Sequence, residues 1–260
     1  MQNKYQISNI KSQINTNIIK TILDQKKKDL KGKLKLESLF KNAIVQASKH
    51  GVAIIGEIKF ASPTHPHLGS ASELLDRARA YEKAGADAIS IITEKHFFKG
   101  DIGFVSRVKK SMKIPVLQKD FVIDEQQIYE AKSAGADALL LIARIVSKSQ
   151  LQQFVMLAQT LRIEPVVEIH NQEDLKKAIA TKTLFIAVNA RDLNTFTIDV
   201  EAACGLMKKI PDRFIKLGFS GIQSRAEVQK YTNAGAKGVL IGTSLMKAKN
   251  IQDFIKNLKP

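Results

Sequence analysis

The chain has 260 residues, 44% hydrophobic and 25% charged, enough for one large α/β domain or two small ones. One cysteine, Cys204, excludes an intrachain disulfide and any multi-cysteine metal site. A formal charge of +16 admits nucleic acid, an acidic surface or anionic metabolites as partners.

The first 50 residues carry two helical patterns, NIIKTILDQKKKDLKG and LESLFKNAIVQASK. They are too few to bury a core of their own, so they are expected to form an N-terminal helical cap on a single domain spanning 1–260. The densest basic run, KKKDLKGKLK at 26–35, has no aromatic residues to stack on bases and reads as a solvated helix face; nucleic acid is not expected as a partner. The polar N-terminus lacks the apolar core of a signal peptide. No apolar run approaches the roughly 18–20 residues that cross a bilayer. A cytoplasmic location without a membrane partner is expected.

From residue 52 onward the chain repeats. YEKAGADAISII (81–92), AKSAGADALLLI (131–142) and YTNAGAKGVLIG (231–242) share one anatomy: a helix ends, glycine supplies a left-handed cap, and a short apolar strand follows. TLFIAVN, near 184, occupies the place of the absent copy without the glycine turn. Interleaved with these lie VAIIGEIK (52–59), IPVLQKDF (114–121), EPVVEIH (164–170) and RFIKLGF (213–219). The strands are continuous apolar runs, as in a parallel sheet covered on both faces, and helical stretches such as ASELLDRARAYEKAG and DEQQIYEAKSAG separate them. Eight such units of about 25 residues predict an α/β fold, a (β/α)8 barrel with an N-terminal helical extension. A doubly wound sheet is the alternative, but does not require eight evenly spaced strands.

Such barrels work at the C-terminal ends of their strands. There the sequence places Glu57 and Lys59 on one face of strand 1, Lys119 at the end of strand 3, Glu168 and His170 on strand 5, and Asn189 and Arg191 on strand 6. Charges in buried strands cost stability unless paired, and four strand ends carrying them predict a site for acid–base chemistry. Strands 7 and 8 end instead in Ser220-Gly221 and Gly242-Thr243, whose exposed backbone N–H groups suit an anion. The expected partner is therefore a small phosphorylated molecule. Of His65, His67, His96 and His170, the first two flank Pro66 in a loop with no carboxylate at helical spacing and His170 reads as a hydrogen-bonded structural residue, so no metal is expected; Cys204, in EAACGLMKK with no nearby histidine, reads as core.

The stretches GEIKFASPT, AISIITEKHFFKG, PVLQKDFVID, VVEIH, VNARDLNTF, SGI and GVLIGTSLM together resemble indole-3-glycerol phosphate synthase, over nearly the whole chain. The resemblance implies a carboxy-lyase of tryptophan biosynthesis. It closes an indole ring from 1-(2-carboxyphenylamino)-1-deoxyribulose 5-phosphate, releasing carbon dioxide and water, with no cofactor or metal. It implies Lys119 as general acid at the carbonyl oxygen, Glu168 as acid/base for dehydration, and Glu57 as an orienting carboxylate. Lys59 would hold anionic parts of the substrate, and Asn189 and Arg191 would support the reacting end. Ser62, Ser220, Gly221, Gly242 and Thr243 would bind phosphate, and Phe98, Phe121, Leu140 and Leu193 would wall the aromatic ring. A monofunctional monomer is expected.

Two stretches depart from the family pattern. Before SGI the family usually carries glutamate, within a stretch like ESGI; this chain has Phe219, which cannot accept a hydrogen bond or balance Lys59 and Lys119. After strand 1 the family often has serine, then a basic residue and glycine; this chain reads THPHLG. Phe219 leaves open a weakly active or non-catalytic barrel that binds phosphorylated ligands or a protein partner; a related phosphosugar isomerase on the same barrel is a further alternative.

Overall fold

The computed structural model describes residues 20–21, 24–26 and 38–259. The chain divides into two units, Met1–Glu37 and Ser38–Pro260. In the first, the described residues are helical; the rest of the first expected helix, and all of the basic run at 26–35 except Lys26, lie outside the described residues.

In the second unit eight parallel strands close into a barrel in sequence order. They are β1 (Ala53–Ile58), β2 (Ala88–Ile92), β3 (Val116–Lys119), β4 (Ala138–Ile142), β5 (Glu164–Ile169), β6 (Phe185–Asn189), β7 (Ile215–Phe219) and β8 (Gly238–Ile241), and β8 returns to pair with β1. The repeat read from the sequence is the βα turn. Gly85, Gly135 and Gly235 all stand at positive φ, 86°, 85° and 100°, where a side chain would be strained. The next strand starts within a few residues of each. TLFIAVN enters β6 without such a glycine. The separating helices include α1 (Leu39–Ala47), which precedes β1, and α8 (Arg225–Asn233), between β7 and β8.

The continuous apolar strands serve two cores. One set of side chains, Ile54, Ile89, Leu141 and Val239 among them, packs outward on the helices. The alternate set, including Ala53, Ile55, Leu117, Val166, Phe185 and Leu217, fills the barrel interior. Phe40 and Ile44 of α1 belong to this inner set, and the Phe40 ring meets Phe185 edge-on at 5.4 Å. Phe185 begins β6, so α1 packs at the N-terminal end of the barrel.

Glycines on the outward face admit large rings. A Cβ on Gly218 would stand 2.4 Å from the Tyr231 ring of α8. That close approach lets the Tyr231 hydroxyl donate to the carbonyls of Phe219 and Ser220, each at 3.0 Å. The outer layer thus fixes the turn that leaves β7.

Candidate functional site

A cavity of about 990 Å³ opens at the C-terminal ends of the strands. Each site residue named from the sequence lines it: Glu57, Lys59, Ser62, Phe98, Lys119, Phe121, Leu140, Glu168, Asn189, Arg191, Leu193, Ser220, Gly221, Gly242 and Thr243. It is lined as well by residues the sequence reading left aside, notably Thr64, His65, Gln223, Ser244 and Lys247. Lys247 ends the five-residue helix that Thr243 begins, four positions on and so on the same helical face; that spacing is the one local signal that could have singled it out.

Strand alternation delivers the charges. Glu57 follows Ile55 at the next inward position of β1 and is 3% exposed. Its carboxylate meets Lys59 Nζ at 2.6 Å through Oε1 and Lys119 Nζ at 3.8 Å through Oε2. Burial pushes this carboxyl up, but the charges of Lys59, Lys119 and Arg191 outweigh it and hold Glu57 below the ordinary carboxylate range. Gly242 permits the arrangement: a Cβ there would fall 2.2 Å from Glu57 Oε1 and 2.8 Å from Lys59 Nζ.

A second cluster sits on β5 and β6. Glu168 Oε1 pairs with His170 Nε2 at 3.0 Å and accepts from Asn189 Nδ2 at 3.2 Å. Burial raises the Glu168 carboxyl, while the His170 bond, the Lys119 charge and the Asn189 bond together bring it below its ordinary value. Its other oxygen, Oε2, is buried and has no hydrogen-bond partner among the described residues. A buried carboxylate oxygen without a donor is costly, and it belongs to a residue that lines the cavity. Asn189 also accepts from the Arg191 N–H at 3.0 Å, and the Arg191 guanidinium donates to the Phe196 carbonyl at 3.1 Å.

The remaining walls are apolar. Glu94 accepts from the N–H groups of His96, Phe97 and Phe98 at 2.9, 2.8 and 3.0 Å, fixing the turn after β2. That turn sets the Phe98 ring 6.4 Å from Phe121. Leu140, Ile142, Leu240 and Phe219 also line the cavity. Phe219 lies beside Asn189 and Leu240 in the sheet register and is 1% exposed. Beyond it, Ser220 and Gly221 take successive left-handed conformations, φ 69° and 77°. A Cβ on Gly221 would come within 2.5 Å of Val200. Ser244 Oγ donates to the Ile222 carbonyl at 2.7 Å, tying the turn after β8 to the turn after β7.

The profile of the indole-3-glycerol phosphate synthase family matches residues 6–258. The chain belongs to that family. An indole-3-glycerol phosphate synthase of Caldanaerobacter subterraneus subsp. tengcongensis is 41% identical over 254 residues, covering 93% of this chain and 99% of its own length. That of Thermoanaerobacter sp. strain X514 is 40% identical over 215 residues, covering 81% of this chain and 82% of its own. Among solved structures, 3-hexulose-6-phosphate synthase superposes with a TM-score of 0.65 over 80% of this chain and 98% of that one, at 18% identity. The tryptophan synthase α2β2 complex of Pyrococcus furiosus gives 0.62 at 15% identity, with the same coverage. At these identities the likeness is one of fold. Among the described residues no helix is long and apolar enough to cross a membrane.

Proposed function

We propose that the protein is an indole-3-glycerol phosphate synthase, closing the indole ring of 1-(2-carboxyphenylamino)-1-deoxyribulose 5-phosphate with loss of carbon dioxide and water. The observation that carries the reading is the convergence of Glu168 and the Glu57–Lys59–Lys119 cluster on one cavity. A buried carboxylate and an ammonium across one cavity supply a proton acceptor and a proton donor without water competing for either.

In this reading the aromatic carbon bearing the carboxylate attacks the ribulose carbonyl. Lys119 gives its proton to the carbonyl oxygen as negative charge builds there. Glu57, paired to both lysines, keeps Lys119 charged and aimed. Loss of carbon dioxide returns the bonding electrons to the ring. Glu168 then takes a proton from the ring-closed intermediate and returns it to the hydroxyl, which leaves as water, while His170 and Asn189 hold its Oε1. Lys59 and Arg191 offset the substrate's negative charges. Phe98, Phe121, Leu140 and Leu193 hold the flat ring against the sugar chain, which shortens the search for the reactive geometry. The phosphate rests on Ser62, Ser220 and the backbone N–H groups of Gly221, Gly242 and Thr243. The route uses only side chains and backbone of this chain and takes in no cofactor or metal. Action as a cytoplasmic monomer, with residues 1–50 as a cap on a single domain, belongs to the same proposal.

Phe219 favours a second reading, a barrel that binds the phosphorylated ligand but turns it over weakly. One assay separates the two: fluorescent indole product forms from the ribulose phosphate substrate, and Lys119→Ala lowers kcat by about 10²- to 10⁴-fold while substrate-analogue binding persists. Turnover at the native rate in that variant would remove Lys119 from its role. No turnover by the native chain would leave the binding barrel.

A further inference from the structure

The turn after β1 folds back on itself at the cavity wall. Ser62 N–H donates to the His65 carbonyl at 2.8 Å, and His65 N–H returns to the Ser62 carbonyl at 3.0 Å and to Ser62 Oγ at 3.1 Å. This two-way bridge fixes the His65 backbone against the residue assigned above to the phosphate. The ring is fixed too: its Nδ1 lies 3.1 Å from Thr64 Oγ1. With Nδ1 occupied, Nε2 is the nitrogen left for a ligand, and both Thr64 and His65 line the cavity.

The surroundings of the ring come from three other places. Lys247 of the short helix after β8, Arg191 of the turn after β6 and Lys59 just beyond β1 line the same cavity and act on the ring through their charge. Partial burial and these three positive charges hold the imidazole below its ordinary value, so the ring is neutral in the free protein near neutral pH. A tetrahedral dianion among these cations reverses the balance: it screens them from the ring and offers an acceptor to a second N–H.

We propose that His65 is a proton-linked group of the phosphate end, taking up a proton as a phosphate-type dianion binds beside Lys59, Arg191 and Lys247. The proposal deepens the reading of that end given above and rests on it. Sequence reading treated His65 as a loop histidine because Arg191 and Lys247 lie far from it along the chain.

The probe is inorganic sulfate, a dianion throughout the range tested, so any pH dependence of its affinity comes from the protein. Its Kd is measured calorimetrically and by competition with substrate, at about pH 6 and about pH 8. The native chain is expected to bind sulfate about fivefold or more tightly at the lower pH, with net proton uptake seen as a buffer-dependent enthalpy. H65Q and H65N are expected to lose that difference, whereas H67Q, altered at an exposed histidine outside the cavity, retains it. Using two His65 variants, each checked by its melting curve, separates loss of the proton from loss of the fold. The same pH dependence in H65Q and H65N as in the native chain overturns the proposal and leaves the phosphate end standing. Sulfate that binds without competing with substrate overturns the phosphate end itself, and the role of His65 with it.

Discussion

The two ends of the barrel are made by the same strands and differ in what those strands turn inward. At the N-terminal end the inward residues are Ala53 and Ile55 of β1, Leu117 of β3, Val166 of β5, and Phe185 and Ala187 of β6, closed off by Phe40. One inward step further on, the same strands present Glu57, Lys119, Glu168 and Asn189. Strands β7 and β8 do not make this change: Leu217 is followed by Phe219, and Leu240 remains apolar. The polar chemistry is therefore concentrated on one side of the cavity. The other side offers apolar contact and a turn rich in backbone donors. A single repeated architecture can separate stability from reactivity simply by where along each strand the apolar run stops.

Two substitutions break this division from opposite directions. Phe40→Ala empties a fully buried site between α1 and β6 and is expected to cost about 3–5 kcal/mol in denaturant unfolding, the usual range for such a cavity. Turnover per folded molecule should persist, since the ring lies at the far end from the cavity. A large fall in kcat without loss of stability would mean the two ends are coupled. Phe219→Glu continues the polar side onto β7. It is expected to change kcat or KM by about tenfold, since it adds a carboxylate to the cavity that Lys59 and Lys119 also line. Unaltered kinetics would show that the inward rim of β7 takes no part in turnover.

Acid titration should give the smallest effect. Glu57 and Glu168 are both held below the ordinary carboxylate value of 4.5 in the folded state. An unfolded carboxylate binds its proton first as pH falls, so their stabilising contribution is complete above that value and is lost below it. The melting temperature should fall by a few degrees as pH drops through that window, and less steeply in Glu168→Gln. An equal slope in that variant would deny Glu168 a share.

Much of this was legible in the sequence because barrels write their repeat locally. The AGA triplets announce a helix end, a left-handed glycine and a strand within a dozen residues. Apolar runs ending in GEIK, LQKD or VEIH place charges at strand ends without knowledge of any contact. TLFIAVN was assigned to β6 from its position alone. What stayed hidden depends on chain segments meeting in space. Nothing near Gly218 announces that Tyr231 will pack on it and hold the Phe219–Ser220 turn. Nothing in VVEIH says which Glu168 oxygen His170 and Asn189 will occupy. Lys247 joins the cavity only because a short helix follows β8. The expected helix at 17–32 lies largely outside the described residues.

The absent side chain at Gly242 has one further consequence. Glu57 and Lys59 belong to the first strand, while the glycine that leaves room for their pair follows the last, and β1 and β8 join along the seam where the cylinder shuts. The acid–base groups stand on β1, β3, β5 and β6, but the cavity they line is finished only when the last strand meets the first. Recovery of turnover during refolding would accordingly report the shutting of that seam, while intermediates with seven strands in place would register in spectroscopy yet remain inert.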